Sequence, residues 1–299
     1  MKTFFRLFKR NVKLFFKDKG LFFTSLITPL ILLVLYATFL SNVYKNSFNA
    51  VLVATGVNID DKLMNGLVGG QLFSSLLAVS CVTVAFCSNM LMVQDKVSGA
   101  RKDMLISPVR RSMLAYSYYT ASFISTLLIC LLAFGACSIY LAIIGWFLSL
   151  ADVLLLLLDI FLLVMFGTAL SSIVNYFLSS QGHISAVGSI VSSCYGFICG
   201  AYMPLSSFSS GLRSALMFLP GTYGTSLLRN HSLNGVFNKM AESNVPTQVV
   251  ESLKDSIDCN IYFFESQVSI GVMYLVLGIT VAVLVGAYVL INVLSKKKN

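Results

Sequence analysis

Gln94-Asp-Lys-Val-Ser-Gly-Ala-Arg-Lys-Asp-Met-Leu-Ile-Ser-Pro-Val-Arg-Arg111 is a charged segment set between two apolar stretches, each long enough to cross a bilayer. Outward from it, charge-free runs cover Gly20 to Tyr44, Leu63 to Gln94, Ser112 to Ala151 and Ser266 to Ser295, and the run from Val153 to Leu212 is broken only by Asp159 and His183. Of the 299 residues, 57% are hydrophobic and only 11% charged. Soluble domains carry about a quarter charged residues, so this composition excludes a soluble globular protein and points to an integral membrane protein. At about 20 apolar residues per crossing, the runs predict an all-α membrane protein with six spans, over 22–41, 67–93, 117–146, 153–178, 184–203 and 268–294.

The net charge of +9 is topological rather than a nucleic-acid signature. Lys2, Arg6, Lys9, Arg10, Lys13, Lys17 and Lys19 sit in the N-terminal tail, Lys96, Arg101, Lys102, Arg110 and Arg111 in the central segment, and Lys296, Lys297 and Lys298 at the C-terminus; Asp18, Asp95 and Asp103 are the acids among them. An even number of spans places these three regions on one side, and the positive-inside rule makes that side the cytoplasm; a multi-pass plasma-membrane protein, bacterial in origin, is expected. Charge does not test the turn between spans four and five, which has no Lys or Arg near Ser179 to His183. The first 20 residues are too charged to form a signal-peptide core, so no cleavable signal is expected. Instead Phe4, Phe8, Val12, Phe15 and Phe16 recur at helical spacing opposite the basic residues, which predicts an interfacial helix over 1–20, aromatic side toward the acyl chains and basic side toward anionic lipid. The competing reading is a basic tail that only sets topology. Gly20 is the expected break before the six-helix domain at 21–299, and Pro29 is expected to kink its first span.

Residues 42–64 read as a short polar external loop. Gly66, Gly70, Ser74 and Ala78 form a small-residue stripe on the second span, and Ser185, Ser189, Ser193, Gly196 and Gly200 a longer one on the fifth, suited to a tight helix seam, a second subunit or a polar translocation path. The external segment 204–266 is apolar in its first half, on both sides of Pro220, in pieces too short to span, which predicts a re-entrant pair or, alternatively, a surface helix pair packed on top of the bundle. Within it, Val249, Val250, Leu253 and Ile257 share one face of an amphipathic helix. Asn230-His-Ser232 matches a glycosylation sequon, a weak pattern.

Catalytic chemistry is absent from the pattern. No Gly-x-x-x-x-Gly-Lys-Ser/Thr occurs, the two histidines His183 and His231 are expected on opposite sides, and the cysteines, all but Cys259 inside expected spans, have no accompanying His or acid cluster, so neither a metal nor a disulfide framework is implied. Asp159 is the one acid well inside a span; with no second buried ionisable group in register for a proton relay, it reads either as an ion or substrate site or as a carboxyl hydrogen-bonded to neighbouring helices or reaching outer-leaflet water.

The order of the central segment, with an acid-Lys pair, a Gly, a basic pair, an apolar turn, Ser-Pro and two arginines, resembles the coupling-helix region of ABC-2 type permeases, the membrane subunits of ATP-driven exporters. The resemblance covers nearly the whole chain, through Gly200-Ala-Tyr-Met-Pro204 to Leu219-Pro-Gly-Thr-Tyr223 and Leu228-Arg229, and it looks most like the drug-export branch. The chain departs at Gln94-Asp95, where many members carry a glutamate. Membership implies a coupling helix over 94–107 that docks a separate cytoplasmic ABC ATPase through Asp95, Lys96, Gly99, Arg101, Lys102, Asp103, Met104 and Leu105. It also implies a homodimer or heterodimer of permease subunits, with ATP and Mg held by the ATPase and no cofactor in this chain. The expected cargo is an amphipathic or hydrophobic molecule such as a drug, a lipid-linked product or a peptide. The alternatives are a secondary transporter or channel, which should show an internal repeat or several buried charges, and an intramembrane enzyme.

Overall fold

The computed structural model describes residues 2–107, 109–264 and 266–294; the expected C-terminal basic cluster at 296–298, Pro108 and Glu265 lie outside them. The fold is nearly all helical. In chain order the helices are α1 (Lys2–Lys17), α2 (Lys19–Leu35), α3 (Ser41–Ala54), α4 (Asp61–Val97), α5 (Ala100–Ile106), α6 (Arg111–Ile144), α7 (Leu150–Phe177), α8 (Gln181–Ile198), α9 (Ser210–Leu216), α10 (Pro220–Glu242), α11 (Thr247–Ser256) and α12 (Ile270–Leu294). A two-residue hairpin pairs β1 (Tyr262–Phe263) with β2 (Ser266–Gln267) ahead of α12.

Among the described residues five helices are long and apolar enough to cross a membrane: Lys19–Ala54, Asp61–Val97, Arg111–Ile144, Leu150–Phe177 and Ile270–Leu294. The span expected over 184–203 corresponds to α8, whose Gln181, His183 and serines at 185, 189, 192 and 193 make it less apolar than the rest. Local chemistry sets the boundaries. Asp18, not Gly20, makes the first break, accepting a hydrogen bond from the Leu21 amide as an N-cap. Ser149 and Asp152 form a reciprocal capping box on α7, and Pro220 starts α10, where its missing N–H is no loss. Helix α2 runs through Pro29 and passes through a π-helical turn at Tyr36–Leu40 into α3. The expected loop at 42–64 is therefore corrected: Tyr44, Phe48 and Leu52, one turn apart, are buried, so the chain stays helical to Ala54.

Helix α4 is the axis of the bundle, with its apolar window entirely buried and α2, α6, α7, α8 and α10 packed around it. In lipid this closeness depends on small residues, because apolar side chains gain little by leaving acyl chains for each other. The Gly66 and Gly70 stripe does this work: Gly70 faces Leu233 of α10, and Gly66 faces Phe147 and Val236. Gly167 brings α7 against the α4 backbone at Cys81 and Val82. The tightest approach is Gly235 of α10, where a Cβ would lie 1.8 Å from the Phe147 carbonyl oxygen. Main chain cannot step aside, so Gly235→Ala should unseat α10 at a cost of about 3 kcal/mol, the upper end of the usual overpacking range. Gly271→Ala, facing open space, should be neutral; thermal unfolding of the two purified variants checks the contrast.

Candidate functional site

At one end of the bundle the chain turns from α4 into α5 through Gly99, whose φ of 85° is left-handed and suits glycine. The residues around this turn divide into an anchored and an outward set. Asp95 is buried and takes a two-pronged pair from Arg10 of α1, at 2.7 and 3.0 Å, while the Tyr118 hydroxyl of α6 also donates to it. The same hydrogen-bonded carboxylate raises the Arg10 pKa above its ordinary value against the effect of partial burial. Beside Arg10, Asn11 is buried and donates to Ser117 at 3.4 Å. Lys96 turns to α7, donating to the carbonyls of Tyr176 and of Leu178, the latter at 3.0 Å, with its ammonium 5.2 Å from the Tyr176 ring centre. It thereby satisfies carbonyls left open at a helix C-terminus and places a cation where the helix dipole favours it.

Of the eight residues expected on a docking surface, Asp95 and Lys96 thus face inward as clamps, and Met104 and Leu105 are half-buried against a cluster of Met92, Leu114 and Tyr118. Lys102 and Asp103 are exposed and Arg101 half-buried. The exposed apolar side chains around this turn are Val97 and Ile106, neither of them in that set of eight, with Ile106 84% exposed. Ile106 was not among the expected residues; its position on the opposite side of a short helix from Met104 could have been read from helical spacing.

Helices α2 and α8 both pack on α4 and leave between them a cavity of about 610 Å³, lined by Ile27, Ile31, Leu35 and Phe39 on one side and Ser193 and Phe197 on the other. Thr24, Thr28 and Ser192 add hydroxyls. A second cavity of about 390 Å³ continues past Tyr202 and Leu40 toward Pro204 and Ile257. Ser185, Ser189 and Ser193 of the small-residue stripe are exposed, so none of the described residues buries that face of α8. The two glycines depart from it: Gly196 is covered by the Tyr202 ring, and Gly200 takes the left-handed turn, φ 74°, that ends α8.

At the other end, Arg229 of α10 is buried; it reaches Asp258 at 3.2 Å and the Gly200 carbonyl. Asp258 in turn accepts from the Leu205 amide at 2.8 Å, and the Tyr36 hydroxyl beside the π-helical turn donates to the Ala201 carbonyl at 3.1 Å. Burial pushes the Asp258 carboxyl above the usual carboxylate range, and Arg229 opposes that shift. Asn230, the sequon asparagine, lies inside α10 and donates to Ser226 and Cys259 carbonyls, which leaves no free amide for a glycan.

Asp159 has the buried ionisable partner it was expected to lack. Its carboxylate meets His231 Nδ1 of α10 at 2.6 Å and the Tyr274 hydroxyl of α12 at 2.6 Å, tying three helices together. The sequence hid this because His231 lies in the segment expected outside the membrane, whereas α10 packs along α4, α7 and α12. Among the described residues no group of three or more His, Cys, Asp or Glu side chains could hold a metal.

Residues 2–231 match the family model described as ABC-2 type transporter. A search of curated proteins and a search of solved structures each return no match.

Proposed function

The chain belongs to the ABC-2 type transporter family and is a multi-pass membrane permease; on that premise we propose that it exports an amphipathic or hydrophobic molecule, driven by ATP hydrolysis on a separate cytoplasmic ABC ATPase that also holds the Mg. The observation that carries this reading is the α4–α5 turn: the last turn of α4 is clamped to α1, α6 and α7 through Asp95 and Lys96, the short α5 rests Met104 and Leu105 on α6, and Val97, Lys102, Asp103 and Ile106 face out. A rigid mount with a mixed charged and apolar outer face is what a permease needs to receive mechanical work from a partner.

In this reading the coupling helix expected over 94–107 is shortened to α5, because residues 94–97 continue α4 and the chain breaks at Gly99; α8 is the sixth span, α1 lies in the cytoplasmic interface and both termini are cytoplasmic. The segment at 204–266 caps the outer end as a re-entrant structure. The α2–α8 cavity, apolar with a few hydroxyls, is the path or the face that receives a second permease subunit, and its lining suits an amphiphile of the kind moved by drug exporters. The buried Asp159–His231 pair is the one observation that favours a proton-coupled secondary transporter instead. The two readings part on one variant. Lys102→Glu with Ile106→Asp alters only outward side chains, and it should lower transport at least about tenfold, the effect of removing roughly 1.4 kcal/mol from an interface, while the protein still inserts. Unchanged transport in vesicles supplied with ATP would contradict the docking assignment.

A further inference from the structure

Helix α1 has three sides. Asn11 and Phe15 are buried against the bundle, and Phe4 lies 6.5 Å from the Tyr116 ring of α6. About a third of a turn round, Phe5 and Phe16 are 61% and 38% exposed. Next to them Lys2, Arg6, Lys9, Lys13 and Lys17, spaced by four, three, four and four residues, form one exposed basic strip with no hydrogen-bond or ion-pair partner among the described residues. The aromatic side expected to face lipid is therefore divided: Phe15 serves the protein and Phe16 remains outward, joined there by Phe5, which was not among the expected residues.

We infer that this outer face docks anionic lipid head groups, and that their charge sets the position of α5 through the Arg10–Asp95 pair. The inference deepens the permease reading and relies on it for placing α1 at a bilayer surface. Five unpaired cations beside two exposed phenyl rings match a membrane interface, where phosphates meet the strip and acyl chains meet the rings; an acidic protein partner would leave the rings without a function. Each cation near an anionic surface strengthens attachment about fivefold. Arg10 stands between this strip and the protein face, with 32% of its side chain exposed. Its fork holds Asp95, four residues before the Gly99 turn into α5. A lipid surface that pins α1 pins Asp95, and with it the helix offered to the ATPase.

The test measures amide exchange over residues 2–17 and 95–106 in the purified full chain, alone, in nanodiscs of phosphatidylcholine and in nanodiscs containing phosphatidylglycerol. Anionic discs should slow exchange on the order of tenfold. The combined K2Q, R6Q, K9Q, K13Q and K17Q variant should exchange at the neutral-disc rate in both, and about 1 M salt, where the Debye length is about 3 Å, should do the same to the unmodified chain. Asp95→Asn should keep the slowing within α1 and lose it at 95–106. Equal exchange in both discs, or a full response from the glutamine variant, overturns lipid docking; a full response at 95–106 from Asp95→Asn overturns the relay. Because no ATPase is present, none of these results depends on the docking assignment, and failure of that assignment leaves them unchanged.

Discussion

Arg229→Met is expected to cost about 3–5 kcal/mol of stability, because it strips the partner from a buried carboxylate instead of removing a pair. Arg229 and Asp258 are both almost inaccessible, and the guanidinium also holds the Gly200 carbonyl that closes α8. In the variant Asp258 keeps neutral backbone amides, Leu205 at 2.8 Å and Ser206, but no opposite charge. The double variant Arg229→Met, Asp258→Leu should recover a large part of the loss, since an apolar pair leaves no buried charge. The pH dependence has a definite sign. Burial holds the Asp258 pKa above its unfolded value, so the folded protein binds this proton more tightly than the unfolded chain. Stability from this group is therefore greatest at low pH and is lost as pH rises through the folded pKa. Without Arg229, the influence that lowers that pKa is gone, and the window moves to higher pH. Thermal unfolding should show the Arg229→Met defect largest at neutral to alkaline pH and shrinking on acidification; a defect independent of pH would contradict the ion-pair account.

The second large effect is on coupling. Asp95→Ala removes the acceptor shared by Arg10 and Tyr118 and leaves Arg10 without its carboxylate. About a third of the Arg10 side chain is exposed, so solvent screening reduces the stability loss to roughly 1–2 kcal/mol. Transport should fall further, by about tenfold or more, if α5 must be held rigidly to receive force. The ATPase should remain bound and active, because the outward side chains Lys102, Asp103 and Ile106 are untouched. Arg10→Lys keeps the charge but not the two-pronged geometry and should fall between the two. Transport and ATP hydrolysis measured together in vesicles separate this uncoupling from a simple loss of folded protein, which would reduce both equally.

The long apolar runs were legible because hydropathy over 20 or more residues reports directly on burial in lipid, and α4, α6, α7 and α12 lie where those runs stand. Helix ends were less legible: the runs stop at charge, whereas helices continue until a cap such as Asp18 or Ser149 satisfies the backbone. The segment from Ser41 to Ala54 was misread because Asn and Lys on its outer side mask the Tyr44, Phe48 and Leu52 stripe. The amphipathic helix at α11 was readable from Val249, Val250, Leu253 and Ile257, all of them buried. The site residues were half legible. Sequence located the α5 segment but could not tell inward from outward residues, since Asp95 and Lys96 look as solvent-ready as Lys102 until Arg10, Tyr118 and Tyr176 are seen around them. Nor could it pair Asp159 with His231, because that contact spans 72 residues and joins helices whose adjacency only packing establishes.

The central claim is that α5 receives a separate ATPase, and purification from native cells in mild detergent tests it most directly. An ABC ATPase eluting in equimolar amount with the unmodified chain, and lost from the Lys102→Glu, Ile106→Asp variant, is the predicted result. An intact chain that elutes reproducibly without any ATPase would contradict it and turn attention to the Asp159–His231 pair.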